Sequence, residues 1–442
     1  MSDRRFLPNP ISKNARFFLI ILLRLVICGI IRGMKRIFFI TIVLLLTGMV
    51  TFAQDVDMSY YTEELNRTDA TIFDIFDILE VVSKDNITGI GDFYEGALRT
   101  IFNKFPNFRT SRERLAIQDS ARIILRGLIA EKQTSAAPLV WRLIQEFDIV
   151  QEQNDGLLMN EAMVTLGEIG ATEYAPHIIL HLENYNGEQT PDLGSRRKIQ
   201  LGVMGAISAI ESLKVPEGIK PVFYASIGWY DPEIRAIAAN ALPNIMDDPG
   251  KIISEIIQSP FNDPSVKYAA WQKLLLSKAP DSSKAEVAAV ALEISYSYIT
   301  PVREDQNILR YMRMSAIDAI RTTRIASDSV YPYLERTYRE SFHTPNIDLE
   351  EIKLIISTLS ALRTNESVDL LTAFLRELNI RRRSGPWGNT EREMMQVLIP
   401  AIAVTGTQSQ ATMQLLSVIQ RSSLYTGGEQ GWAENALRTL VK

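Results

Sequence analysis

Cysteine is almost absent: Cys28 is the only one in 442 residues. It sits inside an apolar run near the N-terminus, so the chain beyond residue 53 has no thiol for a disulfide, a thiolate metal site or a cysteine nucleophile. Leu25-Val26-Ile27-Cys28 resembles a lipidation box only superficially, since Ile27 is too large for the position before such a cysteine. Histidine is scarce as well, with His177, His181 and His343 the whole complement. No Gly-x-Ser-x-Gly elbow and no phosphate-cradling glycine loop occurs. Gly89-Ile90-Gly91 reads as a turn between helices. These shortages remove most of the usual residue kits for catalysis. With 46% apolar and 22% charged residues, the composition is that of an ordinary globular chain.

Two apolar runs, at residues 17–31 and 37–53, set the N-terminus apart. The second has a basic lead, Lys35-Arg36, an apolar centre around Leu44 to Leu46 and a small-residue exit, Thr51-Phe52-Ala53. That pattern predicts a Sec-type signal peptide over residues 34–53, cleaved after Ala53, with residues 1–33 an upstream extension from a mis-assigned start. The alternative is an uncleaved anchor in the inner membrane. The first run carries Arg24 and falls short of the ~20 apolar residues that a span needs. Residues 1–53 hold eight of the basic residues and one acidic residue, so their removal takes the formal charge from −5 to −12. Nucleic acid and anionic membranes are therefore not expected as partners through overall charge.

Residues 160–182 contain a complete helix, turn and helix. Ala162, Met163, Leu166 and Ile169 share one helical face, Gly167 marks close packing, Gly170 the stop, and Pro176 the start of a second helix that buries Ile178, Ile179 and Leu182. Aligning on Leu166 finds the same unit at Leu125, Ile207, Leu242, Leu274, Ile317, Leu359 and Ile402, at intervals of 41, 41, 35, 32, 43, 42 and 43 residues. Three residues after each anchor stand Leu128, Ile169, Ile210, Ile245, Ser277, Ile320, Leu362 and Thr405. Asp231-Pro232 and Asp263-Pro264 each predict an N-cap aspartate ahead of a first-turn proline.

On these residues, above all Asp231-Pro232-Glu233-Ile234-Arg235-Ala236-Ile237-Ala238-Ala239-Asn240-Ala241-Leu242 and Glu161-Ala162-Met163-Val164-Thr165-Leu166-Gly167-Glu168-Ile169-Gly170, the chain resembles the HEAT-repeat superfamily, in its bacterial phycobilin-lyase-type branch. The resemblance implies an all-α, right-handed α-solenoid of stacked helical hairpins with second helices on the concave side. Together with the N-terminal pattern this gives the expected organisation: a signal peptide at 34–53, an N-terminal helical cap at 54–110, about eight hairpins over 111–422, and a capping helix at 423–442. Helices at 68–83 and 92–105 and at 431–441 would form the two caps.

Two constellations stand out. His177 and His181 are four residues apart on a helix, a spacing that can place two imidazoles on one metal, with Glu173 a turn earlier; the competing reading leaves them solvated away from the apolar face. Arg381, Arg382 and Arg383 precede Gly385-Pro386-Trp387-Gly388 in a segment that reads as a loop from 380 to 391. Guanidinium groups beside an exposed indole suit an anionic or protein partner. The plainer reading is a solvated loop with Trp387 packed on the next helix, whereas a binding loop would lose capture and keep its melting temperature when these residues are replaced. Arg310, Arg313, Arg321 and Arg324 lie within about 80° on a helix and read as snorkelling stems beside Ile317. The remaining tryptophans, Trp141, Trp229, Trp271 and Trp432, read as packing.

The expectation is an exported, non-enzymatic protein-binding scaffold of the periplasm or cell envelope, with a protein partner, no cofactor, and recognition along the concave face and inter-repeat loops. An envelope enzyme or metal-binding protein using His177 and His181 is the alternative, and a structural spacer a further one. Mass analysis of the exported protein is expected to find an N-terminus near Gln54; retention of residues 37–53 would make it membrane-anchored instead.

Overall fold

The computed structural model describes residues 58–441 apart from 86, 106–109, 147–155, 189–191, 344–346 and 386. The expected upstream extension and signal peptide lie outside the described residues. The chain divides into two compact units, one ending at Ala70 and one running from Thr71 to Lys442. The first contributes a single described helix, α1 (Ser59–Asn66). The described residues form twenty α-helices and no strand, and none of these helices is long and apolar enough to cross a membrane.

The second unit opens with α2 (Ile72–Lys84) and α3 (Gly91–Lys104). Eight first helices follow: α4 (Ser111–Glu131), α6 (Leu157–Glu168), α8 (Leu193–Leu213), α10 (Pro232–Ile245), α12 (Pro264–Leu276), α14 (Arg303–Thr323), α16 (Leu349–Leu362) and α18 (Asn389–Thr405). They alternate with second helices α5 (Ala137–Glu146), α7 (Ala175–Gly187), α9 (Ile219–Ile227), α11 (Gly250–Gln258), α13 (Asp281–Ser297), α15 (Val330–His343), α17 (Asn365–Ser384) and α19 (Gln410–Arg421), and α20 (Gly427–Val441) closes the chain. Every second helix packs against the first helix that follows it, and from α7 to α19 each second helix also touches the next second helix. First helices pack on first helices in sequence from α2 to α20, with one exception among the described residues: α10 and α12 make at most slight contact.

The aliphatic line holds this order. Leu125, Leu166, Ile207, Leu242, Leu274, Ile317, Leu359 and Ile402 are all buried, seven of them at 1% exposure or less and Leu242 at 9%. Burying one such side chain is worth ~1.5–3 kcal/mol, and a lone hairpin cannot bury both of its apolar faces. Glycine sets the closest approach. A Cβ at Gly167 would stand 2.7 Å from Ala209 Cα, and one at Gly205 would stand 2.9 Å from Asn160 Cα, so α6 and α8 touch backbone to backbone.

Caps delimit the helices. Thr71 and Thr110 form capping boxes with Asp74 and Glu113, and the Asp263 carboxylate accepts the Val266 N–H at 2.9 Å. Asp231 departs from expectation: its side chain makes no cap bond and instead accepts from Arg196 Nη2 at 2.8 Å. Gly170 and Gly406 end α6 and α18 with φ of +77° and +70°. The same left-handed stop is filled by Lys132, Arg324 and Arg363 after α4, α14 and α16, and Lys214 after α8 also has positive φ. A left-handed conformation costs a non-glycine residue ~1–2 kcal/mol, and a cation at a helix C-terminus recovers part of that through the helix dipole.

The difference in burial between two anchors is testable. Leu166→Asp places an unpaired charge in a closed seam and is expected to lower the unfolding free energy by about 3–5 kcal/mol, measured by urea denaturation. Leu242→Asp, at the open step, is expected to cost clearly less; equal losses would show that the α10–α12 step is closed in solution.

Candidate functional site

A cluster of basic and aromatic side chains gathers at the end of α17. The three arginines are its last turn, not a loop: α17 runs to Ser384, because the sequence offers no helix breaker before Gly385 and Pro386. Helical geometry then sends the three guanidinium groups in different directions. Arg381 lies 4.6 Å from the centre of the Phe342 ring and 3.3 Å from Glu391 Oε1, a carboxylate that is 6% exposed and also accepts the Gly388 N–H at 2.9 Å. Arg382 donates through Nε and Nη2 to the Leu424 carbonyl, at 2.9 and 2.6 Å, and stacks 4.6 Å from the centre of the Trp387 ring. Tyr425 stands behind it, hydrogen-bonded through its hydroxyl to Asn379 Oδ1, and burial pushes its phenol above the ordinary range. Arg383 is the exposed one of the three.

Two of the three arginines are thus engaged within the chain, where they tie α17 to α18 and to the turn before α20. Trp387 is half-buried, and its Nε1 is buried without an acceptor among the described residues. Nearby, Tyr338 stacks on Phe374 with ring centres 3.5 Å apart, and burial raises its phenol. His343 Nε2 pairs with Glu377 at 2.9 Å.

His177 and His181 have different surroundings. His177 is exposed, its ring 5.3 Å from that of Trp141 and 6.2 Å from that of Tyr174. His181 is half-buried, edge-on to Tyr185 with centres 4.6 Å apart; its Nε2 is buried without a partner among the described residues, and burial holds its pKa below 6.5. The solvated reading therefore holds for His177 and fails for His181, whose ring is drawn over Tyr185. Among the described residues no group of three or more His, Cys, Asp or Glu side chains is placed to hold a metal.

The basic stripe of α14 is not a set of snorkelling stems either. Arg313 Nε donates to Glu351 Oε1 at 2.9 Å, Arg310 pairs with Asp348, and Glu351 is 2% exposed with Ser341 donating to it at 3.0 Å. The same link recurs between first helices. Arg122 pairs with Glu161 at 2.8 Å, Lys353 with Glu393 at 3.4 Å and Arg392 with Glu429 at 3.6 Å. These rungs escaped sequence reading, although their signal was present: a basic residue followed 37 to 40 positions later by an acidic one near the next helix start. Arg321 turns back to Asp318 within α14.

No known protein family, curated protein or solved structure matches this chain.

Two outcomes follow. Arg382→Ala and Trp387→Ala are each expected to lower the melting temperature by several degrees, since the first removes the tie from α17 to the turn before α20 and the second removes the half-buried ring stacked on Arg382; scanning calorimetry checks this, and an unchanged melt would restore the exposed-loop reading. Burial makes His181 harder to protonate in the fold than in the unfolded chain, so the unfolding free energy should fall as the pH drops through 6.5. His181→Phe should flatten that slope in parallel urea titrations.

Proposed function

We propose that this chain is an exported, non-enzymatic protein-binding scaffold, a right-handed α-solenoid of HEAT-like hairpins that presents its partner with inter-repeat turns and second-helix faces. Sequential packing of first on first and second on second helices supports the solenoid arrangement. The binding role rests on one observation. Phe261, between α11 and α12, and Ile299, between α13 and α14, are each 95% exposed. They stand on successive inter-repeat turns that a buried lysine holds side by side: Lys267 Nζ donates to the Ile257 and Ser259 carbonyls, both at 2.5 Å, and lies 5.7 Å from the centre of the Tyr298 ring. Scattered apolar residues are common on surfaces. Two large ones, fully extended into solvent from adjoining and internally braced turns, favour a contact surface.

A photo-crosslinking amino acid placed at Phe261 or Ile299 in living cells tests this reading. Discrete adducts of higher mass are expected from both positions and not from Glu286, an exposed residue in α13. Identical patterns from all three positions would remove the support for a binding surface at these turns.

A further inference from the structure

The exception in the first-helix row is where the molecule leaves room. Where α10 and α12 part, a cavity of about 250 Å³ opens, walled by the aliphatic side chains of Leu242, Pro243, Ile253 and Leu276. Leu276 is 84% exposed at its rim. Among the described residues no ion pair or side-chain hydrogen bond joins α10 to α12, and the link between first helices that recurs along the chain is missing here. The repeat interval is also shortest across this step, at 32 residues, and next shortest across the step before it, at 35 residues.

Three chemical features of the cavity define what fits it. Its volume lies just below the ~300–1,000 Å³ of sites for drug-sized ligands, so it admits a group the size of one amino-acid residue. Its only charged lining residue is Lys273, half-buried in the last turn of α12 and making no ion pair among the described residues, and no acidic residue lines it. The third feature is Pro243, inside α10. A proline has no N–H, so the carbonyl of Ala239, four residues earlier and on the same wall, lacks its helical donor.

The cavity therefore offers an aliphatic surface, a cation and a carbonyl acceptor. A fatty acid would satisfy the first two and leave the carbonyl unmet. A free amino acid would bring an ammonium group for which the lining has no carboxylate. The last residue of a polypeptide brings an apolar side chain, a carboxylate and one backbone N–H. We propose that the α10–α12 cleft captures the C-terminus of a partner polypeptide ending in an aliphatic or aromatic residue, with its carboxylate on Lys273, its N–H on the Ala239 carbonyl and its side chain against Leu242, Ile253 and Leu276. The proposal rests on the protein-binding reading and adds the chemistry of one contact.

The test uses dye-labelled hexapeptides Gly-Ser-Gly-Ser-Gly-X, with X as Leu, Ile, Val, Phe or Asp, in fluorescence polarisation with the full chain. Saturable binding is expected for the apolar endings, with at least a tenfold loss for X as Asp, for a C-terminal amide and for Lys273→Gln. Pro243→Ala restores the N–H that bonds Ala239 within the helix; it should weaken binding several-fold while leaving the melting temperature the same or higher. Equal affinity for amide and free acid, unchanged affinity in Lys273→Gln, or no binding by any apolar ending at millimolar peptide overturns the proposal. Crosslinks retained at Phe261 and Ile299 alongside failed peptide binding would reject the cleft and leave the scaffold standing; the reverse pattern would reject the turns and keep the cleft.

Discussion

The second unit depends on one constraint, the burial of an aliphatic anchor in each hairpin against the hairpin beside it. Leu125, Leu166 and Ile207 cannot leave water within their own helices, since a single helix covers one face only. Stacking solves this locally, so the unit is built from nearest-neighbour contacts, and the polar links follow the same rule. Arg122 reaches Glu161 and Arg313 reaches Glu351, each one repeat ahead. The Glu351 pair is nearly inaccessible to water, so removing either partner strands a buried charge; pairs of this kind enforce register more than they add net stability.

The same locality explains why one step can open without dissolving the whole. Among the described residues, neither an ion pair nor close packing joins the first helices at α10–α12, yet α9 packs on α10, α11 on α12, and the second helices continue in sequence. Continuity passes through the second row there. A cavity results whose walls would otherwise be helix seam, and the turn residue Phe261 lies within the same stretch of chain.

Much of this order is legible in the sequence. The anchors, the stop at Gly170 and the close approach at Gly167 follow from residue type and spacing, because 3.6-residue periodicity and the special freedom of glycine act locally. The shortened intervals around Leu242 were also visible as numbers. What they meant was not, since an insertion or deletion between helices does not say which helix pair separates. The long interval between anchors suggests a loop over 380–391, but spacing does not say where a helix ends, and α17 carries its arginines as far as Ser384 because the first breakers are Gly385 and Pro386. Residue type does not announce the stops at Lys132, Arg324 and Arg363, because residues other than glycine reach the left-handed region only when the surrounding fold holds them there. Nor does spacing announce the burial of His181, which comes from Tyr185, one turn later on the same helix and itself 7% exposed.

The stacking of consecutive hairpins can be measured covalently. Thr372 in α17 and Thr412 in α19 are forty residues apart and both buried, with their hydroxyl oxygens 2.6 Å from each other. With Cys28→Ser as background, the Thr372→Cys/Thr412→Cys chain should form an intramolecular disulfide on oxidative refolding, because a bridge forms only when the two Cβ atoms come within about 4.5 Å. The altered mobility on a non-reducing gel and the loss of both free thiols are the predicted result. Two reactive thiols in a folded, monomeric product would contradict the stacking of second helix on second helix.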